Sequence, residues 1–181
     1  MTEPVRQIYK LRFSGQEEYR NVIWKILVKN FFSKWIPRDA TVLDLGCGYG
    51  EFINNIENSE RHGMDLNPDS IDYLDKTVVF HEQDCSTPWP FPKESLDLIF
   101  TSNFFEHLPD KRALNQTIVN AKASLKKGGV ITAQVGSHDK KPHQVEKWCN
   151  VLEKNFGNVK LSGAYVPSFD CKWNFASSVM R

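Results

Sequence analysis

The sequence predicts an α/β fold in which a mostly parallel sheet is covered by helices. From about residue 40 onward, short runs of strand character alternate with runs of helical character, the pattern of parallel strands joined by helical crossovers. The last two strand-like runs, Asn158 to Val166 and Lys172 to Met180, are separated only by Pro167 to Cys171. That spacing suits a hairpin and is too short for a crossover, so an antiparallel element ends the sheet.

Five short strands are expected at Thr41 to Leu45, Arg61 to Asp65, Thr77 to His81, Leu96 to Thr101 and Val130 to Val135. Most are apolar in the middle, as strands covered on both faces should be. Helices are expected between them at Glu51 to Asn58, at Pro68 to Asp75 and at Asp110 to Lys127. Proline suits a first helical turn, and Leu114, Ile118, Ala121 and Leu125 share one face of the third helix. Before the first strand, Ser14 with Glu17 forms a capping box. Tyr19, Val22, Ile23, Ile26, Leu27 and Phe31 continue it with helical spacing as far as Pro37. A further helix is expected over Gln144 to Phe156, stopped by Gly157.

At 181 residues, with 40% hydrophobic and 25% charged residues, the chain 1–181 is expected to form a single folded domain with a proper core. Within it, segment 1–38 is helical and could serve as a lid. Lys plus Arg number 23 against 22 Asp plus Glu, a balance that argues against a nucleic-acid partner. The four cysteines, Cys47, Cys85, Cys149 and Cys171, form no C-x-x-C pair, and His138 and His143 are poorly spaced for a shared metal. No metal is expected. No signal-like or spanning apolar run is present, so the expected location is cytoplasmic, with no membrane association.

The strongest local signal is Val42-Leu43-Asp44-Leu45-Gly46-Cys47-Gly48-Tyr49-Gly50, a strand that runs into three alternate glycines. Glycines let the chain turn sharply and come close to a ligand. Asp65 ends the second strand, 19 residues after Gly46, where a carboxylate can accept both hydroxyls of a ribose. Asp84 lies just beyond the third strand, placed either to accept from an exocyclic amine or to cap a loop. After the fourth strand comes a polar and aromatic loop, Ser102 to Pro109.

Together these segments, VLDLGCGYG, GMDLNP, EQDCS, LDLIFTSNFFEHL and LKKGGVI, resemble the class I S-adenosylmethionine-dependent methyltransferases over residues 40 to 135. The resemblance implies a Rossmann-like, doubly wound sheet of about seven strands whose last strand is antiparallel. It implies S-adenosylmethionine as cofactor, with the loop from Gly46 to Gly50 wrapping its methionine and ribose portion and Asp44, Gly46, Cys47 and Gly48 among the cofactor-binding residues. It also implies that Asp65 holds the ribose, that Leu66 lies against the adenine, that Asp84 and Cys85 flank it, and that Ser102 sits beside the methionine part.

Methyl transfer from a sulfonium needs mainly placement, plus a base where the acceptor is a hydroxyl. His107 is the best-placed candidate base; its other reading is a packing or capping residue near Asp110. Phe104, Phe105, Tyr9 and Phe13 are the aromatics most expected to touch a ligand. The chain departs from many bacterial relatives in having only Gly136 to Pro142 after the fifth strand, where an aromatic insertion often covers the acceptor. The leading expectation is methyl transfer to a small-molecule acceptor, a hydroxyl-bearing metabolite or sugar. The alternative is a protein that binds S-adenosylmethionine without efficient turnover, and a nicotinamide-dependent oxidoreductase is a third reading.

Overall fold

In the computed structural model the described residues are 17–57, 59–134, 150–157, 159–166 and 171–179. Five parallel strands form the centre: β1 (Thr41–Leu45), β2 (Glu60–Asp65), β3 (Val78–Glu82), β4 (Leu96–Ser102) and β5 (Leu125–Gln134). Each lies within a few residues of its expected place, and the α/β class agrees with the sequence. The backbone of β6 (Val159–Val166) and β7 (Cys171–Val179) continues the sheet in the order β3-β2-β1-β4-β5-β7-β6, with β7 antiparallel to both of its neighbours. The strand order reverses between β1 and β4, which opens a crevice at their carboxyl ends.

The two faces of the sheet carry separate cores. Leu43, Leu45, Ile99 and Ile131 pack with Ile118 and Ala121 of α2 (Lys111–Ser124) and with Leu152 and Phe156 of α3, helical over 150–156 and followed by Gly157. On the other face Val42, Leu98 and Phe100 meet α1 (Glu17–Asn30) and the 3-10 turn Phe32–Trp35. Aromatic rings dominate there. Phe52 stacks on Phe100 at 3.6 Å, and Trp24 and Phe32 meet Phe100 edge-on at 5.6 and 5.2 Å.

Three elements differ from the sequence expectation. In α1 the buried stripe is Trp24, Leu27 and Val28, continued by Phe32, while Tyr19, Val22 and Ile26 of the expected face are exposed. Trp24, absent from the predicted stripe, carries the largest apolar area and sets the rotation of the helix against Phe100. The helix also ends at Asn30, well before Pro37. The Asn30 side chain donates to the Ile26 carbonyl and the Ser33 hydroxyl to that of Lys29, satisfying carbonyls the ladder leaves open. Ser14 of the predicted capping box lies outside the described residues, as do Tyr9 and Phe13.

The helix expected at Glu51 to Asn58 is a single 3-10 turn, Ile53–Asn55. Arg61 donates to the carbonyls of Ile53 and Asn54, and the Asn54 side chain bridges the carbonyl of Tyr73 and the amide of Asp75. These bonds draw the polar Asn-rich segment away from an α ladder. The helix expected at Pro68 to Asp75 is likewise a 3-10 turn, Pro68–Tyr73, capped by Asn67, whose side chain accepts from the Asp69 amide at 3.1 Å. By contrast α2 begins as read, with the Asp110 carboxylate accepting from the Ala113 amide at 2.8 Å. It stops at Ser124 because Leu125 is extended and already pairs with Leu96; the ladder resumes at Val130 opposite Leu98.

At the β2–β3 edge, His62 Nδ1 lies 3.1 Å from His81 Nε2, with Phe91 edge-on to both rings and Glu60 3.3 Å from His62 Nε2. Burial, and then the neighbouring His62, push the His81 imidazole below the ordinary histidine value. The folded state therefore holds fewer protons at His81 than the unfolded chain does. Its stability contribution is complete above the unfolded value of about 6.5 and is lost as pH falls through the lower folded value. Urea midpoints measured between pH 7.5 and 5 should fall with acidification, and His81→Gln should flatten that fall.

Candidate active site

The crevice is built around the chain that leaves β1. Gly46 and Cys47 donate their amides to the Met64 carbonyl at 2.8 and 3.1 Å, tying the loop to the end of β2. Gly46 and Gly48 have φ of 73° and 51°, the left-handed region that glycine alone enters without strain. Their surroundings differ. A Cβ at Gly46 would lie 2.3 Å from Phe104 Cδ2, whereas one at Gly48 would meet nothing within 4 Å. The aromatic loop after β4 thus closes the inner end of the glycine turn and leaves open space at Gly48.

Asp65 is the hub of the site. One carboxylate oxygen accepts from the Gly48 amide at 2.9 Å and the other from the Asn67 amide at 2.8 Å, and the Asp65 carbonyl accepts from Gln83. Asp65 is only 9% exposed. Burial raises its pKa above the usual aspartate value, opposed by the amides of Asn67, Gly48 and Leu66. A carboxylate has about four acceptor sites, more than these amides use, so acceptor capacity remains for a ligand. Asp44 is more deeply buried and its carboxyl is held well above the ordinary range by desolvation, then by the negative charges of Glu51 and Asp65. The Cys47 thiol is pushed up mainly by burial.

The remaining sequence candidates fall into three groups. Leu66 is exposed beside Asp65, and Ser102 ends β4 at the crevice, its hydroxyl bonded to the Gln134 side chain. Asp84 is exposed beyond β3; one oxygen accepts from both the amide and the hydroxyl of Ser86 at 2.8 Å, the loop-capping arrangement. The Cys85 thiol points into the core, 3.2 Å from the Thr117 hydroxyl, so only its backbone is available near the crevice. His107 closes the 3-10 turn Phe105–His107 and is exposed, as is Glu106. Sequence reasoning missed Asn67 and Gln134. The Asn-Pro pair at 67–68, a capping residue before a first-turn proline, signalled the former.

A family model described as "Methyltransferase domain" matches residues 16–161. The chain belongs to this methyltransferase family. Solved structures share its fold. The methyltransferase resembles the 1,6-didemethyltoxoflavin-N1-methyltransferase of Burkholderia thailandensis at 16% identity, covering 97% of this chain and 84% of that one with a TM-score of 0.71. It resembles the N-methyltransferase NodS of Bradyrhizobium japonicum at 17% identity, covering 93% and 90% with a TM-score of 0.68. A Haloferax volcanii putative methyltransferase, solved with the Trm112 methyltransferase activator, matches at 15% identity over 94% of each chain with a TM-score of 0.67. A curated but uncharacterized protein of Methanocaldococcus jannaschii is 30% identical over 93 residues, half of this chain; the methyltransferase covers only 39% of that relative.

The NodS and 1,6-didemethyltoxoflavin-N1-methyltransferase structures are described with S-adenosylhomocysteine bound. The residues of this chain fit S-adenosylmethionine: the open space at Gly48 admits a ligand against the backbone, the remaining acceptor capacity of Asp65 suits a diol, and buried carboxyls suit a cation. Among the described residues no group of three His, Cys, Asp or Glu could hold a metal ion, and no helix is long and apolar enough to cross a membrane.

The contrast between the two glycines is testable by urea denaturation. Gly48→Ala should lose about 1–2 kcal/mol, the cost of a left-handed alanine. Gly46→Ala should lose more, because its methyl displaces Phe104, and the difference should shrink in a Phe104→Ala background.

Proposed function

We propose that this enzyme transfers the methyl group of S-adenosylmethionine to a small-molecule acceptor, a hydroxyl-bearing metabolite or sugar. The observation that carries the reading is the junction of Gly48 and Asp65 at the β1–β4 reversal, an open glycine beside a buried carboxylate with unused acceptor sites. In this reading Asp65 holds the ribose hydroxyls, and Asp44, Gly46, Cys47 and Gly48 surround the ribose and methionine portion. Leu66 lies against the adenine, flanked by Asp84 through its free oxygen and by Cys85 through its backbone, and Ser102 lies beside the methionine portion. The C-terminal hairpin completes the seven-stranded sheet, the chain acts as one domain, and segment 1–38 shields the crevice. The scattered thiols suit a reducing cytoplasm.

Bound, the cofactor supplies a methyl group activated on a sulfonium. The chain's own residues provide the rest. The carboxyls of Asp44 and Asp65, held up by burial, favour their charged forms once a cation lies nearby. Rigid seating between the glycine turn and the β4 loop supplies orientation, worth about 7–11 kcal/mol in favourable cases. His107 on the exposed turn after β4 takes the proton of the acceptor hydroxyl, a contribution of about 10²- to 10⁴-fold.

Two measurements test these roles. Asp65→Ala should weaken S-adenosylmethionine binding by about 1–3 kcal/mol in titration calorimetry, since the ribose loses a charged acceptor; unchanged affinity removes Asp65 from the site. His107→Ala should leave that affinity nearly unchanged and lower transfer of a radiolabelled methyl to metabolite pools by about 10²- to 10⁴-fold. A variant that keeps full specific activity ends the base assignment.

A further inference from the structure

Gln134 closes β5 opposite Ser102 in the β4–β5 ladder. The registers that align Asp44 with Phe100, Phe100 with Thr132 and Ser102 with Gln134, together with strand alternation, put Asp44, Ser102 and Gln134 on one face of the sheet. Gln134 is 8% exposed, yet it is polar and ends an otherwise apolar run.

Three bonds fix it. The Ser102 hydroxyl donates to Gln134 Oε1, the Asn103 side-chain amide lies 3.5 Å from the Ser102 hydroxyl oxygen, and the Asn103 backbone amide donates to the Gln134 carbonyl at 3.0 Å. Asn103 itself is held at φ 47°, a left-handed turn that asparagine tolerates better than most residues. Because the Ser102 oxygen faces the Asn103 donor, the single hydroxyl hydrogen is left for Gln134, which fixes the carboxamide with its oxygen toward Ser102. The nitrogen at the other end of the carboxamide carries two N–H bonds that no described residue accepts. Gln134 is mostly buried, and with no acceptor in the described chain these N–H groups are left to solvent or to a molecule that displaces it at the end of β5.

We propose that Gln134 is a ligand-contacting residue of the crevice, its amide nitrogen donating to an oxygen of a bound molecule, and that Ser102 is the positioning residue that aims it. The proposal rests on the reading of this crevice as the methyl-transfer site. The ligand chemistry is an oxygen acceptor without a proton to give, a carboxylate or carbonyl. Two molecules can present it: the cofactor through its amino-acid carboxylate, or the methyl acceptor. No covalent change occurs at Gln134.

Gln134→Glu keeps an oxygen for Ser102 and puts an anionic oxygen in place of the donor, while Gln134→Met keeps the size and removes both groups. Calorimetry with S-adenosylhomocysteine and with 5′-methylthioadenosine, which lacks the amino-acid carboxylate, is paired with radiolabelled methyl transfer to metabolite pools. If the oxygen belongs to the cofactor, both variants should bind S-adenosylhomocysteine about tenfold or more weakly and 5′-methylthioadenosine as the wild type does. If it belongs to the acceptor, both affinities should stay within about twofold and transfer should fall about tenfold or more. In either case Ser102→Ala should show the same pattern in smaller degree and Ser102→Thr should restore it, a rescue that lost packing would not give. The Ser102 pair carries the test where thermal melting shows a Gln134 variant unfolded. Affinities and transfer all within about twofold of wild type overturn the proposal. A wild-type protein that binds neither nucleoside overturns the methyl-transfer reading itself, and is recognised before any variant is made.

Discussion

The carboxylate of Asp65 joins what would otherwise be two independent turns. By accepting from Gly48 on one side and Asn67 on the other, it sets the glycine turn after β1 against the capped turn after β2. The Met64 carbonyl, one residue earlier, takes the amides of Gly46 and Cys47. Four backbone donors from two loops therefore converge on two consecutive residues at the end of one strand. Removing water from this carboxylate has an energetic cost, seen in its raised pKa, and the amides around it offset part of that cost. The crevice owes its shape to this convergence, since the loop it fixes is the one whose inner end Phe104 closes.

Much of this was legible from residue order. The strands declared themselves through apolar runs such as Thr41–Leu45 and Leu96–Ser102, which are buried on both faces, and α2 through its apolar stripe. The methyltransferase resemblance, spread over five segments, named the family that the chain proves to belong to. What escaped were features decided by partners distant in sequence. Arg61, eight residues after Ile53, takes the carbonyl that a helix would have used, and Trp24 chooses which face of α1 is buried by meeting Phe100. Neither choice leaves a periodic trace. At the crevice, the meeting of Gly48 with Asp65 follows from local backbone geometry at the ends of two paired strands. The Cys85 thiol turned inward because Thr117, on a helix formed later in the chain, receives it.

The short connections on the β2–β3 side carry a consequence of their own. Where a family of this architecture is expected to place helices, this chain has 3-10 turns, Ile53–Asn55 and Pro68–Tyr73. Side-chain bonds hold them: Asn54 with Tyr73 and Asp75, Asn55 with Asn21 and Glu51, Arg61 with Ile53 and Asn54, and Asn67 with Asp69. A helical ladder shares its load over many bonds and opens cooperatively, whereas a surface turn held by few bonds opens by itself. Amides of the Pro68–Tyr73 turn, where Ile71 and Tyr73 are exposed, should therefore exchange by local opening, ahead of those of α2. A molecule that seats against the Asp65 junction should protect the amides of the turn capped by Asn67, whose own amide Asp65 accepts, so ligand occupancy can be read amide by amide there.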